Sequence, residues 1–561
     1  MKNIPRKEHP FPQFERKNWL NLNGIWQFEI DRGMSGTDRK LFESEKLSSE
    51  ILVPFCPESE LSGIGDKDFM TCVWYKKSVT LPESFRGMRT ILHVGACDYL
   101  STVWVNGREV MTHRGGYVSF SCDITDFLEE DANDITIRAI DDTRSGDQPC
   151  GKQCYAFHSQ GCHYTRTTGI WQTVWLEAVP ETYIVSAKYY TKTDGTVRIV
   201  AVTKNACGKT LYASASFGGK KVCSGKTQVT SDSAEIILKI DEPKLWFPGE
   251  PNLYDLTLKL GDDSVKSYFG IREVSYANHR FYVNGRSVFG RFILDQGFYP
   301  DGIYTAPSDE ALVRDIEMSL ACGYNGARLH QKIFEPRFLY HADRLGYMVW
   351  GEHANWGLDI ARIGAFKNFT GEWLEALERD FNHPSIIGWC PFNETQPNQD
   401  RELIALVYKM TKALDPTRPV IDTSGWVHVD GCCDMYDCHD YEQNPEVFKA
   451  RYDRLMEGKR AFDETPLDLC FVSEFGGTWW SPGVKGGWGY GASPQDMDEF
   501  LTRYEGLVSA LLNNDQICAF CYTQLTDVEQ EQNGLYTYDR RAKFPVDKIF
   551  AITSAKSVVE D

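Results

Sequence analysis

The chain has no run of about 18 or more apolar residues, so no segment reads as a membrane-spanning helix. Residues 1–10, Met-Lys-Asn-Ile-Pro-Arg-Lys-Glu-His-Pro, lack the apolar core of a secretory signal, and the expected location is cytoplasmic. Basic residues are in deficit. Lys and Arg total 60 against 79 Asp and Glu, a net charge of −19, which disfavours nucleic acid and anionic membrane as partners. No Gly-x-Gly-x-x-Gly fingerprint or phosphate loop is present, which removes the usual signals of dinucleotide and nucleotide sites. Cysteine is not scarce. There are 17, an odd number, and several stand in apolar strand-like contexts such as Cys390, Cys470, Cys518 and Cys521. Free buried thiols in a reducing compartment fit that usage better than a disulfide scaffold.

What remains is a globular composition of 42% apolar and 25% charged residues, spread over 561 positions. That is too long for one core, so several domains are expected. Residues 1–180 alternate apolar and polar positions in runs such as Thr90-Ile-Leu-His-Val94, Ser101-Thr-Val-Trp-Val105 and Asp134-Ile-Thr-Ile-Arg138, with turn signals at Asn106-Gly107 and Asp141-Asp142. Period-2 alternation with such turns predicts a β-sandwich. Residues 181–275 repeat the style in about seven short strands, the pattern of an immunoglobulin-like sandwich. From 276 to 561 strand-like and helix-like segments alternate. Helical periodicity covers 309–320, 336–345, 401–410 and a stretch near 371–381. Strand candidates include 287–294, 326–329, 346–350, 385–394, 418–422, 433–438, 468–474 and 516–522, which predicts a (β/α)8 barrel.

Two of those barrel strands end in glutamate. Ser385-Ile-Ile-Gly-Trp-Cys-Pro-Phe-Asn-Glu394 is one, and Asp468-Leu-Cys-Phe-Val-Ser-Glu474 is the other. Strand C-termini of a barrel point into its mouth. Two carboxylates facing each other there are the equipment for splitting a glycosidic bond: one protonates the leaving oxygen, the other attacks the anomeric carbon. Glu394 is the candidate acid/base and Glu474 the candidate nucleophile. Asn393 could donate to the sugar hydroxyl next to the reacting carbon. Arg328, ending the second strand, could hydrogen-bond Glu474 and balance its charge. His330 could bind a sugar hydroxyl, and Glu352, ending the third strand, could hold Arg328, a sugar or a metal. His439, Asp440 and Tyr441 are expected to line the mouth, with the Tyr441 hydroxyl near the nucleophile. Trp479, Trp480 and Trp488 could form a stacking wall or pack beneath a loop.

Cys150, Cys154, His158, Cys162 and His163 carry zinc-type side chains, but their spacing is not that of a structural zinc site. A loop of the first domain reaching the barrel mouth is the expected reading of this stretch.

These motifs resemble glycoside hydrolase family 2, the group of β-galactosidases, β-glucuronidases and β-mannosidases. Leu20-Asn-Leu-Asn-Gly-Ile-Trp-Gln-Phe28, Trp104-Val-Asn-Gly107 and Gly169-Ile-Trp-Gln-Thr-Val-Trp-Leu-Glu177 resemble its jelly-roll sugar-binding domain. Phe269-Gly-Ile-Arg-Glu-Val274 and Phe281-Tyr-Val-Asn-Gly285 resemble the join into the barrel. Asn393-Glu394 matches the family's acid/base motif and Ser473-Glu474-Phe-Gly476 its nucleophile motif. The resemblance implies a three-domain retaining exo-β-glycosidase acting on a carbohydrate substrate, with carboxyl groups ~5 Å apart. It implies no required cofactor, although magnesium or sodium sites occur in the larger enzymes, and a homo-oligomer is compatible with it. In the family's glucuronidases an Asn-x-Lys pair before a glycine reads the sugar carboxylate. Glu531 and Asn533 stand there in this chain, amid acidic neighbours. The loss of the lysine favours a neutral sugar, and a β-galactoside is the expected substrate. β-Glucuronidase, β-mannosidase and arabinoside-cleaving activities are the alternatives within the family, and carbohydrate binding without catalysis is the alternative outside it.

Overall fold

A computed structural model describes residues 4–396, 399–463, 465–483 and 486–561. The N-terminal part is a β-sandwich. Its six-stranded sheet runs Ser49–Val53, Gly24–Ile30, Cys72–Thr80, Ala132–Ile140, Leu100–Val105 and Arg108–Arg114 in spatial order. A four-stranded sheet of Trp19–Asn21, Val174–Val179, Arg89–Val94 and Phe120–Asp123 faces it. The alternating residues meet between the sheets, where Trp26, Phe28, Val73, Tyr75, Val103, Ile137 and Leu176 are buried. The second sandwich packs a three-stranded sheet on a four-stranded one, from Tyr183–Thr191 to Asp263–Gly270. Its strand Ser233–Lys239 shows strict buried–exposed alternation, as a sheet with one solvated face requires.

The barrel strands are β1 (Gly290–Asp295), β2 (Gly326–Leu329), β3 (Met348–Glu352), β4 (Ile386–Cys390), β5 (Thr423–Ser424), β6 (Tyr436–Asp440), β7 (Leu469–Gly476) and β8 (Ala519–Thr523). Seven of them form one parallel sheet in the order β4-β3-β2-β1-β8-β7-β6. The fifth position is closed by a short parallel pair, Phe392–Asn393 against β5, and by a bridge between Trp389 and Val420. The segment expected at 418–422 meets β4 only at that bridge, and the regular pairing lies just beyond it, toward the mouth. Seven helices flank the sheet among the described residues: α1 (Asp309–Ala321), α2 (Pro336–Leu345), α3 (Ile363–Asp380), α4 (Arg401–Leu414), α5 (Pro445–Met456), α6 (Met497–Leu512) and α7 (Val546–Thr553). Their starts are chemically marked. Ser308, Asp400, Asn444 and Asp496 each accept first-turn amides, and Pro336 and Pro445 begin α2 and α5.

The register of β3 against β4 is set by two reciprocal indole–glycine contacts. Trp350 lies opposite Gly388 and Gly351 opposite Trp389. A Cβ at Gly388 would sit 2.2 Å from the Trp350 ring, and one at Gly351 would sit 2.6 Å from Trp389. Trp350 faces the inner core with Phe292 and Phe471, and Trp389 faces the helical layer with Trp373. Because the side-chain period is two, this pairing also fixes which residue of the β4 end turns into the mouth.

The sandwich rests on the barrel through buried polar contacts. Tyr117 N donates to Glu372 Oε1 of α3 at 2.6 Å, and Thr305 Oγ1 donates to the Trp171 carbonyl at 2.6 Å. Burial pushes the Glu372 carboxyl up to about 8, against the opposing Tyr117 amide. A carboxyl raised in the folded state stabilises most below its ordinary 4.5, and that contribution is lost as pH rises through about 8. From pH 5 to pH 9 the wild type should lose on the order of 2–4 kcal/mol more than Glu372→Gln. Urea unfolding of both proteins at both pH values checks this, and parallel pH profiles would reject it.

Candidate active site

Glu394 and Glu474 meet at the barrel mouth. One carboxylate oxygen of each lies within 4.8 Å of the other and of a His439 ring nitrogen. His439 Nδ1 is 2.7 Å from Glu394 Oε1, and its Nε2 is 3.5 Å from Glu474 Oε1 and 3.0 Å from Ser424 Oγ. Glu394 does not start a helix. It follows the Phe392–Asn393 pair with φ 48° and is held there by the hydrogen bond its backbone N–H donates to the Ser424 carbonyl at 2.8 Å. A left-handed conformation at a non-glycine residue persists only when neighbours over-determine it. Here it swings the carboxyl out of the strand line and over the mouth.

Arg328 is the hub behind the pair. Its side chain is 1% exposed. Nε donates to Glu352 Oε1 at 2.5 Å, Nη1 to Glu474 Oε1 at 3.1 Å and the Ser473 carbonyl at 2.8 Å, and Nη2 to Asn393 Oδ1 at 3.0 Å. That last bond orients the Asn393 amide and leaves its Nδ2 buried without an acceptor among the described residues. His330 Nδ1 lies 3.2 Å from Glu352 Oε2 and 3.9 Å from Glu474. Glu352 is thus occupied by Arg328 and His330. The Tyr441 hydroxyl donates to Glu474 Oε2 at 2.5 Å, and its ring stacks on Tyr490 with centroids 3.4 Å apart.

The electrostatics follow from this packing. Burial alone would push His439 down, but the Glu474 and Glu394 carboxylates outweigh it and hold the imidazole above its ordinary value. Burial would raise Glu394, yet the His439 bond and charge, then Lys152 and Arg328, hold it below the usual carboxylate range. Both shifts favour the ion pair, a Glu394 carboxylate beside a His439 imidazolium. Burial, then the Glu474 charge, pushes the Tyr441 hydroxyl far up, so it remains a donor.

Two expectations need correction. Asp440 turns away from the mouth into α5, where its Oδ1 pairs with Arg451 at 2.6 Å. The strand alternation that brings His439 inward sends its neighbour outward. Trp480 is no stacking wall either, because it packs on Phe500 and Phe544 with centroids 6.2 and 6.1 Å away. Trp479 is half-buried and packs beside Gly489. The Cys150–His163 stretch does not gather a ligand set among the described residues. Cys150 and Cys154 instead donate to carbonyls.

As expected, that stretch is a strap from the first sandwich across the mouth. Cys150 N and Gly151 N donate to the Trp356 carbonyl at 2.9 and 3.1 Å. Gly151 has φ 57°, and a Cβ there would sit 2.3 Å from the Gln331 carbonyl, so only glycine allows the approach. At its other end Trp488 Nε1 and Gln530 Nε2 both donate to the Gly161 carbonyl at 2.7 Å, and the Tyr164 hydroxyl donates to Glu531 Oε2 at 2.6 Å. The strap delivers Lys152, whose ammonium lies 3.9 Å from the Trp356 ring centroid. Lys152, Trp356, Ser424 and Tyr490 were not singled out from the sequence. Each sits in a loop or mid-strand position without a pattern to mark it.

Two trios of side chains have metal-compatible spacing among the described residues: Glu394–His439–Glu474, and the buried Asp422–His428–Cys433. In the second, His428 lies 2.8 Å from Asp422 and 2.9 Å from the Asp437 carbonyl. Burial opposes its charge, but Asp422 and Asp437 hold it well above its ordinary value. A doubly donating imidazolium has no lone pair for a metal.

Comparison with known proteins agrees with this architecture. Residues 20–180 match the sugar binding domain of glycosyl hydrolases family 2, residues 177–272 the family 2 model, and residues 305–461 its TIM barrel domain. The chain belongs to glycoside hydrolase family 2. A β-glucuronidase of Paenibacillus borealis is 26% identical over 446 residues, covering 71% of this chain and 72% of that protein. A β-galactosidase of Thermoanaerobacter pseudethanolicus is 26% identical over 382 residues, covering 63% of this chain and 49% of that one. The chain thus spans about half the length of the latter, and 39% of a Formosa agariphila relative. The fold matches the structure of Ruminococcus gnavus β-glucuronidase in complex with D-glucuronic acid, with a TM-score of 0.82 at 18% identity, over 98% of this chain and 100% of that one. No helix of the described residues is long and apolar enough to cross a membrane.

If Arg328 balances Glu352 and Glu474, Arg328→Met strands two buried carboxylates and should cost about 3–5 kcal/mol. Urea unfolding measures it, and a loss below about 1 kcal/mol would show that the guanidinium is not the balancing charge.

Proposed function

We propose that this protein is an exo-acting, retaining β-glycosidase that releases a terminal β-linked sugar by double displacement. The observation that carries the reading is the approach of Glu394 and Glu474 oxygens to within 4.8 Å, with His439 between them. Retaining enzymes hold their carboxyls ~5–5.5 Å apart, whereas inverting ones need room for a water between them. In the first step Glu474 attacks the anomeric carbon, the glycosidic C–O bond breaks, and the leaving oxygen keeps the electron pair and takes a proton from Glu394. In the second, Glu394 removes a proton from water as its oxygen attacks the same carbon, and the bond to Glu474 breaks. His439 is suited to lend its proton to Glu394 as substrate displaces water. Tyr441 and Arg328 orient the nucleophile. Asn393 Nδ2, buried and without an acceptor, fits a hydroxyl on the carbon next to the reacting one. These steps draw on the chain's own side chains and call on neither magnesium nor sodium.

For the sugar we favour a β-D-glucuronide, because the Paenibacillus relative and the Ruminococcus structure both carry that name. A β-D-galactoside is the second reading, favoured by Glu531 and Asn533 where the lysine-containing pair would stand. Aryl β-glycosides of glucuronic acid, galactose, mannose and arabinose, compared by kcat/KM, decide between them. A preference for galactose would overturn the first choice.

Glu474→Gln should lose at least about 10³-fold in kcat on any good substrate while still unfolding in one cooperative transition. Glu394→Gln should slow aryl glycosides with poor leaving groups about 10²–10⁴-fold and those with good ones far less in the glycosylation step. Equal slowing across leaving groups would remove Glu394 from the acid role.

A further inference from the structure

We propose that Lys152, carried to the barrel mouth by the strap from the first sandwich, is the cation that binds the sugar carboxylate. The proposal rests on the β-glucuronide reading and names the residue that would make it possible in a chain without a lysine at 531–533.

The cations near the mouth differ in what they already hold. Arg328 has four acceptors. Lys332 donates to the carbonyls of Gly297 and Tyr304, and Lys543 pairs with Asp527 at 2.7 Å. Lys152 is only 6% exposed, yet its Nζ has no hydrogen-bond acceptor within 3.5 Å and no carboxylate within 4.0 Å among the described residues. An ammonium with no protein acceptor keeps its donors free for an arriving carboxylate, which they can hold through charge-assisted bonds.

The side chain is also held in place. The Trp356 ring lies under the ammonium at 3.9 Å, and the indole Nε1 donates to the Asn393 carbonyl at 3.2 Å, next to Glu394. The backbone of residue 152 is pinned by the bond from Tyr164 N to its carbonyl at 2.7 Å. Burial would pull the ammonium down, but Cys162, Glu531, Glu474 and Glu394 more than offset it, so Lys152 keeps its charge.

Glu531 is the obvious objection, since a carboxylate beside the site would repel another. Its two oxygens are taken by the Tyr164 hydroxyl at 2.6 Å and Asn533 Nδ2 at 3.0 Å. Burial, ahead of the opposing Lys152 charge, shifts Glu531 upward and weakens its anionic character. The strap therefore supplies a positive group beside the segment where the family motif would place one.

The test compares aryl β-D-glucuronide and aryl β-D-galactoside kcat/KM for the wild type, Lys152→Met and Lys152→Arg, with unfolding midpoints as the check on folding. In Lys152→Met the glucuronide-to-galactoside ratio should fall about 100-fold, mostly through KM, and Lys152→Arg should recover part of it. Lys152→Met that still unfolds cooperatively but leaves the ratio unchanged would overturn the role of Lys152 and leave the glucuronide reading standing. A wild type that turns over galactoside but not glucuronide would overturn both.

Discussion

Arg328 is the constraint around which the mouth is organised. A guanidinium 1% exposed must have its charge and its donors answered inside the protein. Glu352 and Glu474 answer the charge, while Ser473 and Asn393 take remaining donors. One side chain thereby ties the ends of β2, β3, β4 and β7 to each other. The nucleophile candidate sits in its final orientation before any sugar arrives, and Asn393 is left with its amide hydrogens facing inward. Such preorganisation is what lets fixed dipoles act on developing charge without moving.

His439 completes the arrangement from the other side. Its ring spans the gap between the two glutamates, so the carboxylates approach without the full repulsion of like charges. Behind it, Asp437 accepts from Ser424 and Ser473, and His428 lies between Asp437 and Asp422. This buried chain of alternating charge fixes the ring that shares a proton with Glu394. The first sandwich adds the fourth wall. Its strap is pinned at both ends and bears Lys152, whose charge acts on Glu394, so the mouth is incomplete without this domain.

Much of this was legible in the chain. The (β/α)8 strands, helices 309–320 and 336–345, and both glutamates follow from apolar period and from where each run stops, because burial on both faces makes a parallel strand an unbroken apolar run. Arg328 and Tyr441 stood out for the same reason, each at a strand end. Asp440 and Trp480 did not behave as their positions suggested. A strand end lines the mouth with alternate residues only, and an indole after the nucleophile can equally fill the gap above α6. β5 was misplaced because two residues of pairing leave too little pattern to read.

The sequence alone determined that this chain is a family 2 glycoside hydrolase with two sandwiches, a barrel and two strand-end carboxylates, since those features are written in local periodicity and short motifs. Only the tertiary structure decided that the carboxylates come within 4.8 Å, that a histidine sits between them, and that a lysine from another domain stands over Trp356 at the same mouth. The physical reason is sequence separation. Residues 152, 328, 394, 439 and 474 lie far apart along the chain, and only closure of the barrel with the docked strap brings them to one mouth.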